Sequence, residues 1–318
     1  MPKAPQSRAF FLVGPTASGK TAVAQKLAEL RGAEILSADS MLVYKGMDIG
    51  TAKPSREERL RVRYWGVDVV SPSESYNVAC FMEEARRCFE SAAAARKEVL
   101  VVGGTGLYIK ALLAGLDELP SAAPESRERW QRVLQREGVE GLRGALETLA
   151  PSWLAALPES DRTNGRRLIR ALELVESGVR EPPRSWTAVK PSCLVTGLAM
   201  ARAALVVRME SRVHAMYDGG LLDEVRFLLD RGWNPACTAA QAIGYAEAIA
   251  CVRGQLTRDE AMRLTAQRTR QLAKRQMTWF RHQVAVSWVE VTPTMAVDDI
   301  SARVLADWGR NGPQPVML

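Results

Sequence analysis

The chain has 318 residues, 47% of them hydrophobic, with a net charge of +7 and a pI near 9.3. That length holds two domains or one domain with a large insertion, and the hydrophobic content excludes a disordered chain. Five cysteines (Cys80, Cys88, Cys193, Cys237, Cys251) without a C-x-x-C pair, and only two histidines, argue against a zinc site and read as reduced cytosolic thiols. After a short polar leader, residues 1–8, the first apolar run is too short for a signal peptide or a membrane span, so a cytoplasmic protein is expected.

That run, Ala9 to Val13, reads as a buried strand. It leads into Gly14-Pro15-Thr16-Ala17-Ser18-Gly19-Lys20-Thr21, which fits G-x-x-x-x-G-K-[ST], and then into a helical pattern from Ala22 to Leu30. In such a loop successive backbone N–H groups point inward at an anion, and the helix start adds partial positive charge. Lys20 adds a full charge, and the Thr21 hydroxyl can ligate Mg2+.

Glu34 to Asp39 reads as a second strand, ending in a carboxylate, and a loop with Gly46, Gly50 and Pro54 follows. Val67 to Val70 reads as a further short strand and Asn77 to Arg96 as a helix. Val99 to Val102 is a buried strand running into Gly103-Gly104-Thr105-Gly106, with a helix from Leu107 to Leu113. Strands alternating with helices predict an α/β fold, a parallel sheet covered on both faces. Near Asp117 the composition becomes rich in Arg, Glu, Ala and Pro, with helical patterning at Ser126–Glu137, Val139–Leu149 and Arg166–Glu176. The expected division is therefore 1–117 as phosphate-loop core, 118–190 as helical insertion, and 191–318 as the rest of the core. In that last part Leu194–Leu198, Ala204–Val207 and Ala285–Val291 read as strands. Glu210–Arg231, Ala239–Val252 and Thr257–His282 read as helices, and the tail from Gly312-Pro313 reads as loose.

A magnesium-positioning acid normally ends an apolar strand in a phosphate-loop ATPase. Here the strand Val99–Val102 ends in glycines and Thr105, and the acid is instead Asp39. Strand carboxyl ends line the ligand crevice of a parallel sheet, so Asp39, Thr105 and the glycine loop should meet at one rim. A carboxylate there suits proton removal from a nucleophile while the loop holds a phosphate.

From Ala261 to Val289 there is no acidic residue, whereas Arg263, Arg268, Arg270, Lys274, Arg275 and Arg281 fall within that stretch. Arg263, Gln267, Arg270, Lys274 and Arg281 follow helical spacing along one stripe. A solvated helix face and a nucleic-acid contact are both open on this pattern, and Trp279 stands equally as a core residue.

Taken together, these motifs resemble the bacterial tRNA dimethylallyltransferases over nearly the full length. The resemblance rests on Gly14–Thr21, on Ser37-Ala38-Asp39-Ser40-Met41 with Val43-Tyr44, on the run from Gly46 to Pro54, and on Gly103–Tyr108. It continues in Arg170-Ala171-Leu172-Glu173, in Gly220-Leu221 with Glu224-Val225, and in Lys274–Arg281. It implies transfer of a dimethylallyl group from dimethylallyl diphosphate to the exocyclic amine of the adenosine at tRNA position 37, 3′ to the anticodon. It makes Asp39 the general base, assigns the diphosphate to Gly14–Thr21 with Lys20, and has Thr21 help to hold Mg2+. Thr105 and Arg212 would steady the phosphate side. The tRNA contacts it implies are Asp39, Ser40, Met41, Leu42 and Thr105, then Arg127, Arg166, Arg167, Leu168, Ile169 and Arg170. It adds Gln241, Ala242, Ile243, Gly244, Tyr245 and Ala246, and Lys274, Arg275, Gln276, Met277, Thr278, Trp279, Phe280 and Arg281. The insertion matches the module that clasps the anticodon stem. Leu42 and Ala246 depart from the pattern, where glutamine and a basic residue are common. The alternatives are an isopentenyltransferase acting on free adenylate, a phosphate-loop kinase for a small molecule, and a non-catalytic RNA-binding protein. A monomer is expected.

Overall fold

The computed structural model describes residues 7–117, 119–121, 123–183, 191–235 and 237–318. Residues 1–6 of the polar leader and 184–190 of the expected insertion lie outside the described residues. The chain divides into two compact units, residues 1–115 with 190–318 and residues 116–189.

The first unit opens with β1 (Arg8–Val13), α1 (Lys20–Arg31) and β2 (Glu34–Ala38). After a long loop come α2 (Arg56–Arg61), β3 (Tyr64–Trp65), α3 (Val78–Ala94), β4 (Val99–Gly103) and α4 (Gly106–Ala114). The second unit holds α5 (Pro124–Leu149), α6 (Pro151–Ala156), α7 (Glu159–Arg162) and α8 (Gly165–Glu176). The chain returns to the first unit as β5 (Leu194–Met200), α9 (Arg202–Asp218), α10 (Leu221–Asp230), a 3-10 turn (Ala239–Gln241), α11 (Tyr245–Val252) and α12 (Arg258–Gln283). It closes with β6 (Ala285–Val291), α13 (Val297–Asn311) and β7 (Gln314–Pro315).

The strands form one sheet in the order β3-β2-β4-β1-β5-β6, every neighbouring pair parallel, with β7 antiparallel to β1. Helices on both faces bury β2 and β4 completely, which is why these strands read as unbroken apolar runs. Leu27, Ile35, Leu100, Val304 and Trp308 pack together on one face. Asp307 of α13 ties the far side of the sheet, accepting hydrogen bonds from Thr196 Oγ1 of β5 (2.6 Å), Ser287 Oγ of β6 (2.7 Å) and Arg310 (3.0 Å). The carboxyl ends of β1, β2 and β4 all reach one edge of the sheet. β1 lies between β4 and β5, where the strand order reverses, the place where such sheets bind ligands.

Five sequence expectations change. Val67–Val70 is not a strand: β3 is Tyr64–Trp65, Asp68 takes a positive φ of 54°, and only Val70 bridges to Tyr44. Ala204–Val207 belongs to α9, because Leu205, Met209, Val213 and Tyr217 recur every four residues and are all buried, a helical stripe that a four-residue apolar run does not reveal. Glu210–Arg231 is two helices broken at Gly219-Gly220. Ala239–Val252 is a 3-10 turn and then a shorter α11. The tail is not loose: β7 pairs with β1, and Val316 is buried while its N–H donates to the Ser7 carbonyl (2.8 Å).

In the second unit α5 leaves helical geometry at Gly138 (φ 67°, ψ −160°). Trp130, Leu142, Leu146, Trp153, Leu168 and Leu172 form its own core. The buried carboxylate of Glu173 accepts from Arg127 Nε (2.7 Å) and from Arg170 Nη1 (3.2 Å).

Candidate active site

The glycine loop leaves β1 at Gly14, whose φ is 146° and where a Cβ would lie 2.8 Å from the Leu198 carbonyl oxygen, so no side chain fits there. Gly19 caps α1 without any side-chain hydrogen bond, leaving the N–H groups of the first turn aimed outward. The Lys20 ammonium donates to the Pro15 carbonyl (2.6 Å). Burial pulls its pKa down from the usual lysine range to about 7; Asp39 works against that shift and Arg212 adds to it. A lysine so placed gains its full charge when an anion arrives.

Asp39 follows β2 and Thr105 follows β4. The Thr105 N–H donates to the Ala38 carbonyl (3.0 Å), which holds the two strand ends together. Thr105 Oγ1 then accepts from the Ser40 N–H (3.1 Å), while Asp39 Oδ1 accepts from the Met41 N–H (2.9 Å). Arg212, on α9, donates to the Thr51 carbonyl (3.3 Å). Burial lowers its pKa and Asp39 pulls the other way. A cavity of about 880 Å³ collects Lys20, Thr21, Asp39, Thr105, Arg208, Arg212, Gln276 and Trp279, a size suited to a small phosphorylated ligand plus an inserted group.

The Gly46–Pro54 segment lines the cavity at Gly50, Thr51, Ala52 and Pro54. Glu224 fixes it, accepting the N–H groups of Asp48 and Ile49 (each 2.9 Å) and the Tyr245 hydroxyl (2.5 Å). Lys53 pins its far end to the Tyr44 carbonyl (2.5 Å), Asp48 (2.7 Å) and Asp68 (2.6 Å).

The basic helix α12 docks on the β4–α4 turn. Gln276 accepts the Thr16 N–H (2.8 Å) and donates to the Gly104 carbonyl (3.1 Å), bridging the glycine loop to the turn that carries Thr105. Any side chain at Gly104 would collide with Gln276, and any at Gly106 with the Trp279 ring. Trp279 is thus a half-buried cavity wall, and Gln276 is a strut that sequence reading placed only as an RNA contact.

The structure places the expected RNA contacts unevenly. Phe280, Tyr245 and Leu168 are fully enclosed, and Ile169, Ala242 and Gly244 are buried. The side chains of Phe280, Tyr245, Leu168 and Ile169 pack in the cores, whereas Ala242 lines the cavity. Arg127 and Arg170 are bound to Glu173, and Arg268 is bound to the buried Glu247 and to the Gln241 carbonyl (3.4 Å). Arg166, Gln241, Lys274, Arg275, Thr278 and Arg281 are exposed; Ser40, Met41, Leu42, Thr105, Arg167, Ile243, Ala246 and Met277 are half-buried. Sequence reading missed Arg208, which lies four residues before Arg212 on α9. The only signal was that spacing, which puts both on one helix face.

The family model described as IPP transferase matches residues 42–283, and one described as isopentenyl transferase matches residues 7–65. The tRNA dimethylallyltransferase of Geobacter metallireducens is 44% identical over 292 residues, covering 90% of this chain and 93% of that protein. The tRNA dimethylallyltransferase 2 of Syntrophus aciditrophicus is 42% identical over 288 residues, covering 89% and 92%. The crystal structure of a tRNA isopentenylpyrophosphate transferase from Bacillus halodurans is similar at 34% identity with a TM-score of 0.69, covering 96% of this chain and 97% of that one. With its phosphate loop, Asp39 and Thr105 gathered at one cavity, the chain belongs to the IPP transferase family, as a prenyltransferase of the tRNA dimethylallyltransferase kind.

Proposed function

We propose that this chain transfers the dimethylallyl group of dimethylallyl diphosphate to the N6 amine of the adenosine at tRNA position 37. The observation that carries the reading is the meeting of Asp39 with Lys20 and Arg212 in one cavity, a proton acceptor facing an anion cradle. The new bond joins N6 to the allylic carbon. The bond that breaks joins that carbon to a diphosphate oxygen, which keeps the electron pair, and the N6 proton passes to the Asp39 carboxylate. Asp39 acts as general base. Backbone N–H groups of the glycine loop, Lys20 and Arg212 stabilise charge building on the departing diphosphate, set in place beforehand. The allylic carbon tolerates cationic character, so a weak amine suffices once positioned.

Among the described residues no group of three or more His, Cys, Asp or Glu is placed to hold a metal. Magnesium needs no such group, because it keeps waters and takes phosphate oxygens together with one or two protein oxygens. The Thr21 hydroxyl at the cavity fits that donor set, and bound Mg2+ would neutralise diphosphate charge there. Trp279 offers a ring for a flipped base, and Lys274, Arg275 and Arg281 offer charge to its backbone. In this reading the insertion, residues 118–190, binds the anticodon stem through Arg166 and Arg167, while Arg127 and Arg170 stay paired with Glu173. No described helix is long and apolar enough to cross a membrane; we assign a monomer acting in the cytoplasm.

Incubation with labelled dimethylallyl diphosphate, magnesium and either tRNA or AMP tests the reading. Label is expected in tRNA alone. Label in AMP instead identifies an adenylate enzyme, and ATP consumption without label identifies a kinase.

A further inference from the structure

Arg208 has no role in the chemistry described above, yet its surroundings are unusual for an arginine. It is half-buried on α9 and lines the cavity. It has no hydrogen-bond or ion-pair acceptor among the described residues. Its Nη2 lies where a Cβ on Gly19 would be 3.7 Å away, so the guanidinium stands beside the start of α1. That helix start carries partial positive charge. Lys20 follows Gly19 directly, and Arg212 lines the same cavity one helical turn further along α9. Leu205, Met209 and Val213 anchor α9 by their burial, so Arg208 is held against this positive surface by the packing of its own helix.

The other half-buried arginines of the first unit show what is missing. Arg59 pairs with Asp68, Arg268 with Glu247 and Arg270 with Glu210. Arg212 donates to the Thr51 carbonyl and feels Asp39. A half-enclosed guanidinium facing like charge raises the energy of the empty site, and a polyanion relieves it. A planar fork of N–H donors is also the group that grips two phosphate oxygens at once.

We propose that Arg208 is a second arginine of the diphosphate site and binds the leaving group beside Lys20 and Arg212. The proposal rests on the prenyl-transfer reading of the cavity. Asp39 interacts with Lys20 and with Arg212 and offsets part of their charge, whereas Arg208 has no carboxylate partner. Its charge is therefore available to the diphosphate oxygen that receives the electron pair when the carbon–oxygen bond breaks. Its removal should affect turnover as well as binding.

Binding of inorganic diphosphate with Mg2+ is measured by calorimetry for the wild type, Arg208→Gln, Arg208→Lys and the distant control Arg258→Gln. Steady-state kinetics, tRNA binding and the melting point of the ligand-free protein accompany it. Arg208→Gln is expected to weaken diphosphate binding at least tenfold and to lower kcat/KM about a hundredfold. tRNA affinity should stay within twofold, and the ligand-free melting point should be unchanged or higher because an unpaired charge has gone. Arg208→Lys should recover part of the binding, since charge returns without the fork, and Arg258→Gln should match the wild type. Diphosphate binding by Arg208→Gln within twofold of wild type overturns the assignment. So does a lowered melting point with proportionate loss of every activity in both Arg208 variants, which would make the residue structural. If the wild type itself fails to bind diphosphate, the prenyl-transfer reading of the cavity falls, and Arg208 with it.

Discussion

Lys20 and Lys53 sit in two glycine-bearing segments that are equally conspicuous in the sequence, and their surroundings differ in kind. The Lys53 side chain is 2% exposed and has three acceptors, two of them carboxylates. The segment around it is closed further by Glu224 and Tyr245. Lys20 has a single carbonyl, a neighbouring arginine and a pKa drawn down to about 7 by burial. A segment whose polar groups satisfy one another is scaffold. One whose buried cation has a carbonyl but no ion-paired carboxylate is built for an anionic ligand. By this criterion Gly14–Thr21 is the segment we propose for the diphosphate, and Gly46–Pro54 is the wall that holds Arg212 through Thr51.

The contrast is tested most severely at the open site. Asp39→Ala should lower turnover roughly 10³-fold with tRNA affinity nearly unchanged, measured by single-turnover transfer and filter binding. A fully active variant would remove Asp39 as the base. Lys20→Met should reduce kcat/KM by about 10²–10³ with little change in melting point. Lys53→Met should do the reverse, costing about 3 kcal/mol of stability by chemical denaturation, because Asp48 and Asp68 lose their shared cation. Activity per folded molecule should survive at low temperature. If Lys53→Met instead lost diphosphate binding without loss of stability, the division between scaffold and site would be wrong.

The closed segment also carries a pH signature. Burial works against ionisation of Asp68, but hydrogen bonds from Lys53 and Arg59, with their charges, hold its pKa below the ordinary carboxylate value. A folded-state pKa below the unfolded one means that the stabilisation is complete above about pH 4 and is lost as pH falls through the folded value. Melting points between pH 2 and 6 should fall less steeply for Asp68→Asn than for wild type, the variant being less stable at pH 6 and converging with it in acid. Parallel curves would show that Asp68 contributes no proton-linked stability.

Much of the open site was legible because its chemistry is contiguous in the chain. Gly14–Thr21 carries its own conformation and charge, and Asp39 and Thr105 fall at strand ends that a parallel sheet brings together. What was not legible depends on where distant elements land. Gln276 reads as one more polar residue of a basic helix until α12 meets Gly104. Arg208 is indistinguishable from any arginine on α9 without the loop it faces. Phe280 and Tyr245 fall inside runs that the resemblance assigns to tRNA, because a motif gives order along the chain and not depth. The strand at Tyr64–Trp65 is two residues long, below any periodicity. α13 was missed although Ile300, Val304 and Trp308 are spaced as a helical face and packed on the sheet.

The same distinction between partnered and unpartnered charge, applied to α12, gives the smallest effect and the finest test. Arg268 and Arg270 are matched by Glu247 and Glu210, whereas Lys274 and Arg275 are exposed with no acceptor among the described residues. A cation already neutralised in the free protein releases few counterions when RNA binds, because it must first give up its partner. An unmatched one displaces them directly. Each phosphate contact contributes about 0.7–0.9 to the slope of log affinity against log salt. The double variant Lys274→Ala with Arg275→Ala should therefore flatten that slope for tRNA by roughly 1.5, while Arg268→Ala should leave it nearly unchanged and cost stability through the stranded Glu247. Equal slopes in both variants would mean that partnering in the free protein does not decide which arginines of α12 meet RNA.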